Sequence, residues 1–399
     1  MIGVIIIVFT IALAFLHRGS NRPRTSTSSG YTPSVSIVIP TYNEASIILH
    51  KLENVVLLDY PRDQVEVIVV DSASTDGTQS LVQRFAEEHS REIRTVLIEQ
   101  PARMGKSAAI NEALRYVRSE IIVLTDADVT FRPGSIRTLV ENFDRKGVGA
   151  VSGVEVPVGG KSFLSGIEGD YRRIYTSIRL AEAETDAPFM CESELSAYRK
   201  DILSPLPQGT VCDDVELTVM VRSRGHMALY ASDVSFFENE AGSFGPKLSH
   251  KLRRGMNNQH ALLQNSRVFF NQSFGRYGTI VFPFEFFVHI ISPILLVLAG
   301  ISLIGLAVAA PFSSLVAILV TVMASIPSFL ILNSILTKYG QTEVAKLQGT
   351  RSWVLGAAVF LGFQFVLLVG LVKLGLRGPQ TNWQQIPGTR VPITIEASR

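Results

Sequence analysis

Val65-Glu66-Val67-Ile68-Val69-Val70-Asp71-Ser72-Ala73-Ser74-Thr75-Asp76-Gly77-Thr78 is a β-branched run that ends in carboxylates, hydroxyls and a glycine. Val and Ile runs of this length, bounded by turn residues, read as buried strands. Two similar runs lie on either side in sequence. Val35-Ser36-Ile37-Val38-Ile39-Pro40 leads into Thr41-Tyr42-Asn43-Glu44, and Ile121-Ile122-Val123-Leu124-Thr125 leads into Asp126-Ala127-Asp128. From Pro33 to Ala231 such runs alternate with amphipathic stretches, which predicts an α/β domain. Ligands of open α/β sheets bind beyond the carboxyl ends of the strands. Polar residues stand at all three ends here, so the three tips are expected to share one crevice.

The chemistry at those tips is specific. Asp126 and Asp128 are one small residue apart, so a local bend can aim both carboxylates at one hard cation such as Mg²⁺ or Mn²⁺. Such an ion would neutralise a leaving diphosphate as a Lewis acid. Alone, Asp-x-Asp reads as a surface turn; its place after an Ile/Val run favours the cation. Asp71 can accept from a base or ribose donor, yet Ser74 or Thr75 ahead of Asp76-Gly77-Thr78 can equally start a helix with no ligand. Arg103-Met104-Gly105-Lys106-Ser107 lacks the preceding glycine of a P-loop, which excludes a Walker site. Lys106 can still approach a phosphate, or stand solvated at the start of a helix from Ser107 to Val117. Asp213-Asp214-Val215-Glu216-Leu217 reads two ways: a general base for an attacking hydroxyl, or acidic residues favouring a helix N-terminus. A glycoside hydrolase would also want two carboxylates but has no use for a metal.

The 399 residues divide into two solvents. Charges crowd between Arg18 and Arg276, while Ile280 to Leu376 is dominated by apolar residues and glycine. A net charge of +2 without a basic, aromatic-interleaved stripe argues against nucleic acid. With only Cys191 and Cys212, a disulfide framework is not expected. Blocks at Phe282 to Ala309, Phe312 to Leu336 and Trp353 to Val372 are long enough to cross a bilayer. Met1 to Leu16 is a marginal span of about 24 Å; no basic residue precedes it, as a secretory signal would require. Arg18, Arg22 and Arg24 place the following domain in the cytosol, with Lys338, Lys346 and Arg351 on the same side. Three later crossings would leave the tail outside, whereas Lys373, Arg377, Arg390 and Arg399 favour the inside. Charge alone leaves that conflict open. The expected division is an N-terminal membrane helix over 1–17, a linker over 18–32, a catalytic domain over 33–245, an interfacial segment over 246–279, membrane helices over 280–376 and a tail over 377–399.

In order and content, Ile39 to Glu44, Asp71 to Thr78, Arg103 to Asn111 and Thr125 to Asp128 resemble the family 2 glycosyltransferases of GT-A fold. The similarity is to the membrane-bound group that includes cellulose, chitin, hyaluronan and poly-N-acetylglucosamine synthases, over about Val35 to Asn258. The resemblance implies that Thr41, Tyr42, Glu44 and Asp71 hold the nucleoside, that Lys106 lies by the nucleotide, and that Asp126 and Asp128 bind the metal. It makes Asp214 the implied general base, beside Asp213. Phe189-Met190-Cys191-Glu192-Ser193 is similar to the acceptor-bordering Phe-Phe-Cys-Gly-Ser of cellulose synthases, with Glu192 in place of the glycine. The processive Gln-x-x-Arg-Trp is replaced by His250-Lys251-Leu252-Arg253-Arg254; Arg253 and Arg254 can serve a diphosphate, but the sugar-stacking indole is missing. Leu248, Leu252 and Met256 mark an amphipathic helix, either on the membrane surface or facing a core.

The expected function is an inverting transfer from a nucleotide-diphosphate sugar, most often uridine-linked in the resembling group, to a polysaccharide or glycolipid at the cytosolic face of the plasma membrane. Single-sugar transfer to a lipid-phosphate carrier is the alternative. A transporter or scaffold with a nucleotide-sensing domain is a third reading; only Glu285 and His289 offer ionisable groups at membrane depth for it.

Overall fold

A computed structural model describes residues 2–18, 30–158, 163–239, 244–339, 353–379 and 389–393. Eight strands form one mixed sheet in the order β3-β2-β1-β4-β7-β6-β8-β5. Its first half is parallel: β1 (Val35–Thr41) lies between β2 (Val65–Asp71) and β4 (Ile121–Thr125), with β3 (Arg94–Glu99) outside β2. Register pairs Thr41 with Asp71, so the tips of β1 and β2 finish level. The second half adds β5 (Thr130–Phe131), β6 (Val148–Val158), β7 (Leu195–Arg199) and β8 (Met227–Asn239), with β7 antiparallel to both β4 and β6. The three strands expected from sequence are all present, β1 and β2 each running one residue further.

Strand alternation divides the core between the two faces of the sheet. Val35, Ile37 and Ile39 pack under α2 (Ile48–Val56), α3 (Thr78–Glu88) and α5 (Ser135–Glu141). Val38, Ile68 and Val70 face α4 (Lys106–Leu114), in a core continuous with α6 (Phe163–Thr185) and α7 (Asp213–Ser223). All seven residues of β2 are buried, which accounts for its nearly unbroken apolar composition.

Beyond the sheet, α8 (Phe244–Gln264) packs against α11 (Trp353–Arg377), and α1 (Ile2–Arg18) packs against α10 (Pro311–Tyr339). Gly255 of α8 and Gly370 of α11 permit the first contact: a Cβ on Gly255 would meet Leu367 at 3.0 Å, and one on Gly370 would meet Met256 at 3.3 Å. Met256 is buried while Leu248 is exposed, so the amphipathic face of α8 is partly covered by protein. Among the described residues, α9 (Tyr277–Ala309) and α10 are long and apolar enough to cross a membrane. Ile301, Ile304, Val308, Leu319 and Met323 on them are exposed, an apolar surface expected of helices in lipid. Two such exposed apolar helices are what association with a membrane requires.

Where α9 leaves the sheet domain, a Cβ on Gly278 would lie 2.4 Å from the Asn271 carbonyl oxygen and 2.9 Å from that of Val268. Backbone cannot move aside cheaply. Gly278→Ala is therefore expected to cost about 1–3 kcal/mol, measured as a lower unfolding midpoint in detergent. Deeper in the same junction, fully buried Arg179 of α6 bonds Glu182 and reaches Glu285 of α9 at 3.1 Å, with His289 3.1 Å from the same carboxylate. Glu285 and His289 thus tie α9 to α6; this arrangement gives the transporter reading no support.

Residues 389–393 end against the sheet domain: the Asn239 amide donates to the carbonyls of Thr389 and Val391, and Nε2 of His50 lies 3.0 Å from that of Ile393. Lys373 and Arg377 end the helix that leads there, while Lys346, Arg351 and Arg399 lie outside the described residues.

Candidate active site

The tips of β1 and β2 are stitched together by their own turn residues. Asn43 and Ala73 take left-handed backbone conformations, φ 55° and 58°, which only a well-braced loop sustains in residues other than glycine. Asn43 N–H donates to Ser74 Oγ at 2.8 Å, Thr75 N–H returns to Asn43 Oδ1 at 2.8 Å, and Glu44 N–H donates to Thr78 Oγ1 at 2.9 Å. Asp71 holds this loop from beneath. Fully buried, it accepts from Ser74 N–H at 2.9 Å, Gln79 Nε2 at 2.7 Å, Thr41 Oγ1 at 3.3 Å and the Ser74 hydroxyl. Asp76 accepts from Thr78 N–H, but α3 starts after Gly77 with no side-chain cap, so neither Ser74 nor Thr75 starts the helix.

A cavity of about 560 Å³ opens at these tips, lined by Thr41, Tyr42, Glu44, Ser72, Arg103, Gly105, Lys106, Asp126, Asp128 and Arg390. The three strand ends do share one crevice. Arg103 stacks over the Tyr42 ring at 4.1 Å. Gly105, at φ 87°, turns the chain so that Lys106 opens α4 facing the cavity. Lys106 Nζ is 2.6 Å from Asp126, donates to Ser193 Oγ at 2.7 Å and lies 3.8 Å from Asp213. Burial works against its charge, but Asp126, Asp213, Glu194 and Asp214 around it hold its pKa well above the ordinary lysine value. Lys106 therefore links the aspartate pair of β4 to the acidic start of α7.

Behind the Asp126–Asp128 turn sits Lys51, 1 % exposed. Its ammonium donates to Thr125 Oγ1 and to the Val129 carbonyl, both at 2.8 Å, gripping the turn at both ends. Burial pulls its pKa down to about 7, and Asp126 and Asp128 pull back. Glu44 is pushed up to about 7 by burial, although Arg390 lies against it, with Nε 2.6 Å from Oε2 and the guanidinium also paired to Asp128.

Asp214 stands one residue into α7, its Oδ1 accepting from Ser193 N–H at 2.9 Å. Burial, then Asp213 and Glu194, push it up to about 7, against the pull of Lys106. Asp213 is buried beside it. A second cavity of about 920 Å³ lies nearby, lined among others by Glu155, Arg172, Glu192, Glu238, Lys247, His250, Lys251, Arg254, His289 and Phe363. Arg254 pairs with Glu194 at 2.5 Å. Arg253 is half-buried and lines neither cavity. Cys191 is sealed in the core, its N–H bonded to Thr218 Oγ1 at 2.8 Å; of its segment Met190 and Glu192 reach the wall of the second cavity, while Ser193 touches Lys106 and Asp214.

Of the sequence-derived residues, then, the structure gathers Thr41, Tyr42, Glu44, Lys106, Asp126 and Asp128 on the first cavity, with Ser193, Asp213 and Asp214 attached through Lys106. Asp71 and Cys191 stand behind the walls. Arg390, Glu194 and Lys51 were missed. A lone arginine in a tail and a lysine inside a helical pattern carry no spacing signal; Glu194, beside the Cys191-Glu192-Ser193 segment, could have been included with it.

Carboxylates, a lysine and open polar space at the ends of parallel strands belong here to a mixed sheet of GT-A type. Residues 36–206 match the glycosyl transferase family 2 model. It is similar to the mannosyltransferase PcManGT of Pyrobaculum calidifontis, solved with GDP-Man and Mn²⁺, at 27% identity and a TM-score of 0.70 over 94% of this chain and 98% of that one. It is 34% identical to a beta-monoglucosyldiacylglycerol synthase of Nostoc over 31% of this chain and 26% of that protein. Against a dolichyl-phosphate beta-glucosyltransferase, ALG5C, of Trichomonas vaginalis it is 31% identical over 36% and 42%. The chain spans about a quarter of the length of the glucosyldiacylglycerol synthase it matches.

Proposed function

We propose that the protein is a cation-dependent inverting glycosyltransferase that moves one sugar from a nucleoside diphosphate to a lipid-borne acceptor at the cytosolic face of a membrane it crosses more than once. The observation that carries this reading is Lys106, which spans from Asp126 on the donor cavity to Asp213 and Ser193 on the side of Asp214. Diphosphate recognition and proton removal would then lie one side chain apart. Support for the donor comes from the nucleotide-sugar complex of the Pyrobaculum enzyme, and for a lipid acceptor from the names of the Nostoc and Trichomonas relatives.

Asp126 and Asp128 fit a hard divalent ion: each carboxylate already faces a cation, Lys106 or Arg390, at the cavity wall. Bound there, the ion would supply Lewis-acid neutralisation of the leaving diphosphate. Thr41, Tyr42 and Glu44 would orient the nucleoside, and Lys106 would pair with phosphate oxygens. With Oδ1 held by Ser193, Asp214 would take the acceptor proton on Oδ2. Inversion needs only this one base. The second cavity, lined by Arg172, Lys247, Lys251 and Arg254 together with Glu155, Glu192 and Glu238, and by Phe363 of α11, suits an acceptor with a polar head and an apolar tail.

Because Asp214 must be ionised to act, kcat/KM should rise with pH up to about 7 and flatten above it. A profile already flat from pH 5 would exclude that role. The acceptor is tested by offering the detergent-purified chain diacylglycerol, a polyprenyl phosphate or a soluble oligosaccharide with labelled donor. One sugar on an organic-extractable product is expected; a long aqueous polymer would reject single transfer to lipid.

A further inference from the structure

The C-terminal segment 389–393 reaches the donor cavity more than 180 residues beyond the end of the family-model match. Its ends are fastened by Asn239, which donates to Thr389 and Val391, and by His50, which pairs with the Ile393 carbonyl. Thr389 and Ile393 are buried, 2 % and 6 % exposed. Between them Arg390 projects onto two carboxylates at once: NH2 donates to Glu44 Oε1 at 2.9 Å, and NH1 bonds Asp128 Oδ2. Both partners are themselves almost wholly buried, with side chains 5 % and 10 % exposed. Thr389 lines the second cavity and Arg390 the first, so the segment also forms part of the wall between them.

Resting on the reading of Asp128 as a cation ligand, we propose that Arg390 is a positioning residue of the donor site. Its guanidinium holds the Asp128 carboxylate at the cavity wall, and it would yield that oxygen to an incoming divalent cation. The physical reason is charge. Glu44, Asp126 and Asp128 line one cavity wall, where three carboxylates repel one another unless cations stand among them. Lys106 answers Asp126 and Arg390 answers the other two. When a dication occupies the same oxygens, guanidinium and metal repel each other at close range, so the Asp128–Arg390 contact must open. Arg390 then competes with the metal, and its removal frees the ligand.

The test is Mn²⁺ binding to the full chain in detergent without nucleotide, read from the EPR signal of free Mn²⁺. Arg390→Gln should bind Mn²⁺ roughly tenfold tighter than wild type, the scale of one lost charged hydrogen bond, while Arg390→Lys should stay within about threefold of wild type. Asn239→Ala, which unfastens the segment without touching the carboxylates, should shift affinity the same way as Arg390→Gln and serves if that variant misfolds. A part with only a structural role would lower the unfolding midpoint and leave Mn²⁺ affinity unchanged. Unchanged or weaker Mn²⁺ binding in Arg390→Gln and Asn239→Ala overturns the proposal. Asp128→Asn separates the two ideas: if it abolishes binding while the Arg390 variants do nothing, only the competition is wrong, and if Asp128→Asn leaves Mn²⁺ binding intact, the cation reading fails and takes the competition with it.

Discussion

Asp214→Asn is expected to lower kcat by about a hundredfold to ten-thousandfold, the range of a positioned general base, while nucleoside diphosphate affinity stays within about twofold. The amide keeps an oxygen for the Ser193 N–H bond of 2.9 Å, so the start of α7 should hold its place. What disappears is the only function that needs a second, basic oxygen. Asp214 does not line the donor cavity, and its link to that cavity runs through Ser193 and Lys106. Measured by stopped-point transfer assays beside nucleotide titrations, loss of both binding and turnover, or of neither, would remove Asp214 as the base.

The paired substitution Asp126→Asn with Asp128→Asn should act on the other half of the site. Lewis-acid stabilisation of a leaving diphosphate is worth several kcal/mol, so kcat/KM should fall by about a hundredfold or more. Stimulation by Mn²⁺ should vanish with it. Folding should survive: both residues sit on a turn that Lys51 grips through Thr125 and Val129, not through the carboxylates. A variant that keeps metal-stimulated transfer would move the cation elsewhere.

The parallel half of the sheet was legible because burial on both faces leaves Val35–Ile39, Val65–Val70 and Ile121–Leu124 almost purely apolar, and because polar residues begin abruptly at their tips. Convergence of those tips follows from parallel pairing, which Thr41 opposite Asp71 expresses directly. The long β6 and β8 gave no such signal, since Val148–Val158 contains Gly149, Gly153 and Glu155, and Met227–Asn239 contains Ser232 and Asp233. Gly149 has its own reason: a Cβ there would lie 2.7 Å from His226 and Ile202. Asp71 was open between a nucleoside ligand and a segment that merely starts a helix at Ser74 or Thr75; its contacts are to Ser74 of the loop, Gln79 of α3 and Thr41 of β1. Arg390 was read only for its charge relative to the membrane; its reach to Glu44 and Asp128 depends on a chain path that periodicity cannot encode.

Purified full-length protein in detergent, given a panel of nucleoside-diphosphate sugars and a membrane lipid extract, tests the central claim most directly through release of nucleoside diphosphate with Mn²⁺ or with chelator. The account predicts release from one preferred donor, stimulated by Mn²⁺, silenced by chelation and absent in the Asp126→Asn, Asp128→Asn protein. Release that proceeds equally with chelator, or in that variant, would contradict it.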